Sequence, residues 1–149
     1  MTPDRAIRGL DLAPLVKARA KHKMSRSELS RLTGLSTSTI QKWESGEVSP
    51  NIETVTKAAA ALRVPLRRLI KVPVRQRTLA DWRHLAGLSQ TKTARALGLT
   101  TPAYAALERG ETKLTPEKAA RLAQLLGATP DQLSEAWARA HNRPPGAPA

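Results

Sequence analysis

Residues 24–47 read MSRSELSRLTGLSTSTIQKWESGE, and residues 88–111 read LSQTKTARALGLTTPAYAALERGE. The two stretches align without a gap at an offset of 64 residues, and the register runs on at both ends. Leu15 falls on Leu79, Arg19 on Arg83, Gly34 on Gly98, Leu35 on Leu99 and Glu44 on Glu108. Gly46 falls on Gly110, Glu53 on Glu117, Leu62 on Leu126 and Leu69 on Leu133. Glycines and apolar positions kept together over about 55 residues indicate a duplicated structural unit, because each constrains a different part of a fold.

Each unit reads as helices throughout. In the first, LAPLVKARAKH (12–22) supplies a first helix. Ser25 opens a second, with Glu28 three residues on to complete a capping box, and Ser36 opens a third. Gly34 between them, followed by Leu35, fits a left-handed helix cap with an apolar residue anchoring the turn. Asn51 can cap a fourth helix, IETVTKAAAALR (52–63), whose Val55, Ala59 and Leu62 share a face. Pro65 suits the first turn of a fifth. The second unit repeats the scheme with Ser89, Thr100 and Thr115-Pro116 as helix starts.

Punctuation between and beyond the units sets the domain boundaries. VPVRQRT (72–78) contains Pro73 between β-branched valines, which favours extended chain, so it reads as a short linker. Seven residues span at most about 25 Å. Residues 1–11 read as a flexible arm in which Arg5 and Arg8 could form a basic strip. HNRPPGAPA (141–149) has the proline-rich composition of a disordered tail. The expected division is therefore an arm (1–11), a first domain (12–71), a linker (72–78), a second domain (79–140) and a tail (141–149).

Composition narrows the function. The chain has 149 residues and no cysteine, and its three histidines, His22, His84 and His141, lie far apart, so no metal site is expected. Apolar residues make up 40% with aromatics only 3%, which points to small helical cores of Leu, Ile, Val and Ala. No run approaches the roughly 18 apolar residues of a membrane span and no secretion signal is evident, so a cytoplasmic protein is expected. The formal charge is +13, from 25 Lys and Arg against 12 Asp and Glu, which calls for a polyanionic partner, nucleic acid or an acidic membrane surface. Residues 1–76 carry +9 of it and residues 77–149 carry +4. The helices show no large Trp/Phe/Leu face of the kind that lies on membranes. No phosphate-cradling glycine loop and no nucleophile with a base is present, and neither an enzyme nor a cofactor is expected.

A helix, a short glycine-containing turn and a second helix form the arrangement that lays a recognition helix in the DNA major groove. Arg31-Leu32-Thr33-Gly34-Leu35-Ser36 supplies such a turn. Together with Leu88-Ser89 at the start of a second helix, Gly-Leu-Ser/Thr at both turns, and Trp43-Glu44-Ser45-Gly46 or Leu107-Glu108-Arg109-Gly110, the pattern closely resembles the Xre/Cro-type phage-repressor family. The resemblance covers residues 15–70 and 79–134. It implies an all-α fold of two tandem five-helix, lambda-repressor-like helix-turn-helix domains that bind double-stranded DNA. It also implies that Arg26 on helix 2 and Thr37, Ser38, Gln41 and Lys42 on helix 3 face the bases, a solvated polar face being the alternative. Those side chains suit the task, since Gln can bond adenine twice and Arg or Lys can donate to guanine.

At the same surface the second unit offers Gln90 and Thr101 as base readers, but then Pro102, Ala103, Ala105 and Ala106, which carry little hydrogen-bonding capacity. Phosphate contacts are expected from Lys17, Lys21, Lys23, Ser36, Ser45, Thr100 and Arg109, with Arg67, Arg68, Lys71 and Arg75 as further cations. By the same resemblance Arg19 with Glu44, and Arg83 with Glu108, form structural salt bridges behind the recognition helices, and Trp43 and Leu107 belong to the cores. The function expected is a sequence-specific transcriptional regulator, a repressor acting on the nucleoid. The alternative is an antitoxin-like interaction protein whose second domain dimerises or binds a partner through an exposed Ala/Tyr surface on helix 3.

Overall fold

A computed structural model describes residues 6–147. The chain divides between Lys71 and Val72 into two compact units. Both are built from helices, and among the described residues the only strand-like pairing is a single isolated bridge.

The first unit contains α1 (Ala13–Lys21), α2 (Arg26–Thr33), α3 (Thr37–Glu44) and α4 (Ile52–Leu62). Its helix starts are set by side chains that satisfy free backbone N–H groups. Ser25 Oγ accepts from the Glu28 amide at 3.0 Å while Glu28 accepts from the Ser25 amide at 3.3 Å. Ser36 and Asn51 accept from the Thr39 and Thr54 amides. Gly34 ends α2 at φ +76°, a left-handed conformation that costs glycine nothing and turns the chain sharply into α3. Leu15, Leu29, Ile40, Trp43, Val55 and Leu62, one or two from each helix, are buried together with Leu69 and Ile70.

In the fifth position of this unit stands a single 3-10 turn, Leu66–Arg68, rather than an α-helix. Pro73 disfavours helix in the residue before it, and the chain after the turn has a competing partner. Asp11 N donates to Leu69 O at 2.7 Å, Lys71 N donates to Gly9 O at 3.0 Å, and Leu10 and Ile70 bridge antiparallel. Residues 9–11, expected to be part of a loose arm, are thus tied to the end of their own unit. Arg5 lies outside the described residues.

The second unit contains α5 (Leu79–Leu85), α6 (Gln90–Ala96), α7 (Thr101–Glu108), α8 (Pro116–Leu126) and α9 (Pro130–His141). Its core is Leu79, Trp82, Leu97, Tyr104, Leu107, Leu122, Leu126 and Leu133 with small alanines between helices. The stretch 72–78, read as a linker, is bonded into this unit. Arg77 lies over the Trp82 ring at 4.5 Å and donates to Val72 O, and Arg139 donates to Arg77 O at 2.6 Å. Cation-ring contact and two carbonyl bonds together hold a segment whose single proline and flanking valines suggested an extended linker.

The expected tail is also partly ordered, because α9 runs through His141 and the chain beyond it finds carbonyl partners. Trp137 Nε1 donates to Thr112 O at 2.9 Å, His141 Nδ1 lies 2.8 Å from Gly110 O, and Arg143 donates to Arg109 O and Ala140 O. Trp137 and His141 stack at 4.6 Å. The α7–α8 loop is therefore gripped by α9. Gly110 is required there twice over, since its φ is +74° and an added Cβ would stand 2.5 Å from the His141 backbone nitrogen. Its counterpart Gly46 has open space at the same place.

Candidate DNA interface

Helix α3 separates its two faces by residue type. Ile40 and Trp43 point into the core with at most 3% of their surface exposed, while Thr37, Ser38, Gln41 and Lys42 are exposed. At 3.6 residues per turn these four form one outer strip. Behind the strip, Glu44 at the end of α3 is held by two arginines. Arg19 from α1 makes a two-pronged contact, Nε to Oε1 at 2.9 Å and Nη2 to Oε2 at 2.8 Å, and donates a third bond to Met24 O. Arg26, the first residue of α2, lies 3.7 Å from Glu44 with 45% of its side chain exposed. Arg26 is therefore tethered next to the α3 strip with its charge still open to a partner.

The phosphate candidates of this unit separate into open and engaged groups. Lys17, Lys21 and Lys23 are exposed cations on and just after α1. Lys23 is held at φ +53°, where its counterpart is Gly87 at +74°. Ser36 Oγ is exposed but spent on the Thr39 amide and hydroxyl, and Ser45 Oγ donates to Lys42 O at 2.9 Å. Arg67 and Arg68 are exposed, and Lys71 sits 3.7 Å from Asp11; Arg75, also exposed, belongs to the second unit.

The second unit rebuilds the same framework with its chemistry turned inward. Arg83 Nε donates to Glu108 Oε1 with neither side chain exposed, and Arg83 Nη1 donates to Leu88 O at 2.8 Å, as Arg19 does to Met24. Gln90 occupies the place of Arg26, yet it is only 4% exposed and its Nε2 donates to Glu108 Oε2 at 3.0 Å. The base-reading role expected of Gln90 does not fit this placement, because its amide completes a buried ion pair. Thr101 is half-buried with its hydroxyl 3.3 Å from that of Thr91, and Thr100 caps α7.

On α7 Pro102 and Ala103 are exposed, Ala106 is half-buried and Ala105 is buried. Tyr104 is fully buried, so the Ala/Tyr surface expected there is not formed. Arg109 is paired with Glu111 through bonds of 2.9 and 3.1 Å. That bond raises the arginine's pKa and holds the Glu111 carboxyl below the usual carboxylate range.

Sequence reasoning missed the inward turn of Gln90, the α9 grip on the α7–α8 loop and the left-handed cations. Lys23 opposite Gly87, and likewise Arg63 opposite Gly127, were signals available in the repeat itself.

Residues 15–69 match the family described as Helix-turn-helix, and residues 77–136 match the one described as Helix-turn-helix domain. The chain belongs to the helix-turn-helix proteins, in two tandem copies. The first copy is of the Xre/Cro type. No curated protein and no solved structure matches the chain. A tandem helix-turn-helix protein is a DNA-binding regulator, and the matched segments contain α1–α3 of one unit and α5–α7 of the other. Among the described residues no helix is long and apolar enough to cross a membrane, and no cluster of three potential metal ligands occurs.

Proposed function

We propose that this tandem helix-turn-helix protein is a sequence-specific repressor whose first unit reads the major groove with α3. The observation that carries the reading is the exposed strip Thr37, Ser38, Gln41 and Lys42 on a helix whose other face is fixed by Ile40 and Trp43. Gln41 offers a two-bond fit to adenine, Lys42 and Arg26 donate to guanine or phosphate, and the hydroxyls serve either. Lys17, Lys21 and Lys23 supply phosphate contacts, which add affinity without sequence preference. Occupying a duplex excludes other proteins from it, so repression needs no chemistry beyond binding. Such work takes place on the nucleoid, in the cytoplasm.

The second unit enters this scheme as a source of affinity rather than base reading. Gln90 is committed to Glu108, Arg109 to Glu111, and α7 presents Pro102 and Ala103. Pairing of two chains, or capture of a partner by this unit, loses the surface first considered for it, since Tyr104 belongs to the core.

The test is a reporter whose promoter carries a site selected by the full chain, compared across variants. Lys42→Ala and Gln41→Ala should relieve repression with the fold intact by circular dichroism. Unchanged repression with both variants, or activation by the parent chain, would remove the proposal.

A further inference from the structure

A repeat within one chain supplies its own control, because one unit shows what the fold requires and the other what has been added to it. Leu32, near the end of α2, is a large apolar residue left 50% exposed. Its counterpart at the same turn of α6 is Ala96, also exposed, so the fold does not need leucine there. Leu32 opens into a shallow depression with Thr33 on α2 and Lys57, Ala60, Ala61 and Arg63 along the last two turns of α4.

Arg63 is the second departure. It caps α4 in the left-handed conformation at φ +56°, whereas its counterpart Gly127 adopts φ +68° at no steric cost. The first unit thus accepts backbone strain to set a guanidinium at the rim of an apolar depression. Strain of this kind persists where the side chain is used. Neither Lys57 nor Arg63 has an ion-pair partner among the described residues. The depression also lies at the far end of α2 from Arg26, about 10 Å along the helix, clear of the α3 strip.

From this placement we infer that the depression docks an acidic segment of a partner protein, with one aliphatic side chain against Leu32, Ala60 and Ala61 and carboxylates on Lys57 and Arg63. Apolar contact gives the anchor and the paired cations select the flanking charge. A second copy of the chain is the poorer occupant, because its net charge of +13 brings like charge to a basic rim. The site does not depend on which bases the first unit reads, and both partners can be held at once.

The experiment titrates the full chain, methyl-labelled at leucine, with a short synthetic peptide of Glu and Ala carrying one central Leu. The control is the same peptide with Ser for Leu. The Leu32 methyl signals should shift saturably, and the Ser peptide or Leu32→Ala should weaken binding about tenfold, the scale of one lost buried anchor. Arg63→Gly should weaken peptide binding and yet raise the melting temperature by a few degrees, since strain is relieved. Ala96 and Gly127 indicate that both substitutions fold. Binding indifferent to the central Leu, shifts confined to leucine methyls other than that of Leu32, or self-association that moves Leu32 without peptide would each overturn the proposal. So would an Arg63→Gly chain that melts lower.

Discussion

Glu44 and Glu108 occupy one position of the repeat, but the glutamate of the first unit shares its charge with arginines that reach water and that of the second does not. Arg83 and Glu108 are both fully buried, whereas Arg19 keeps 19% of its side chain exposed and Arg26 45%. Removing one partner of a buried pair strands the other in a poorly solvating interior, at a cost of about 3–5 kcal/mol. Glu108→Ala should therefore lose stability on that scale in urea unfolding, and Glu44→Ala distinctly less, since water can take up both of its arginines. Equal losses would mean that the two pairs are equally solvated. Gly110 and Gly46 divide the same way. Both sit at positive φ, but only Gly110 has the His141 backbone where a Cβ would go, so Gly110→Ala should lower the melting temperature further than Gly46→Ala.

At the scale of elements, the helix starts were legible because capping is local chemistry. Ser25, Ser36, Asn51, Ser89, Thr100 and Thr115 each cap the helix that the sequence assigns them. Ser25→Ala should cost about 1 kcal/mol, the usual worth of such a cap, measured by chemical denaturation. What could not be read locally was decided by distant partners. Pro65 signals a helix start equally well before an α-helix and before a 3-10 turn, and the choice fell to the pairing of residues 9–11 with 69–71. The proline-rich end past α9 gave no sign that Arg143 would find the Arg109 carbonyl. Gln90 carried the same polar label as an exposed reader, and only its distance from Glu108 turns it inward. The α3 strip was legible in the sequence because an eight-residue helix with Ile40 and Trp43 inside leaves little choice about what lies outside.

Across the whole molecule, positive charge and the proposed base readers are concentrated in the same unit. Residues 6–71, the first unit, carry +8 of the net charge of +13. DNA affinity should accordingly fall steeply with salt, and replacing Lys17, Lys21 and Lys23 by Ala should flatten the slope of log K against log salt by about one per true phosphate contact. Sequence preference should survive that loss. Alanine substitutions of the exposed Lys92 and Lys113 in the second unit should flatten it less per residue replaced, and a larger effect there would move the principal contact surface to the second copy.

The proposed function divides two like-folded units into one that reads bases and one that does not. Selecting sites from random duplexes with the full chain tests it most directly when repeated with Gln41→Ala and with Thr101→Ala. Gln41→Ala should erase the preference at one or two adjacent base pairs, each discriminated by about 1–3 kcal/mol, while Thr101→Ala should leave the selected site unchanged. A site unaltered by Gln41→Ala, or one that loses positions on Thr101→Ala, would contradict it.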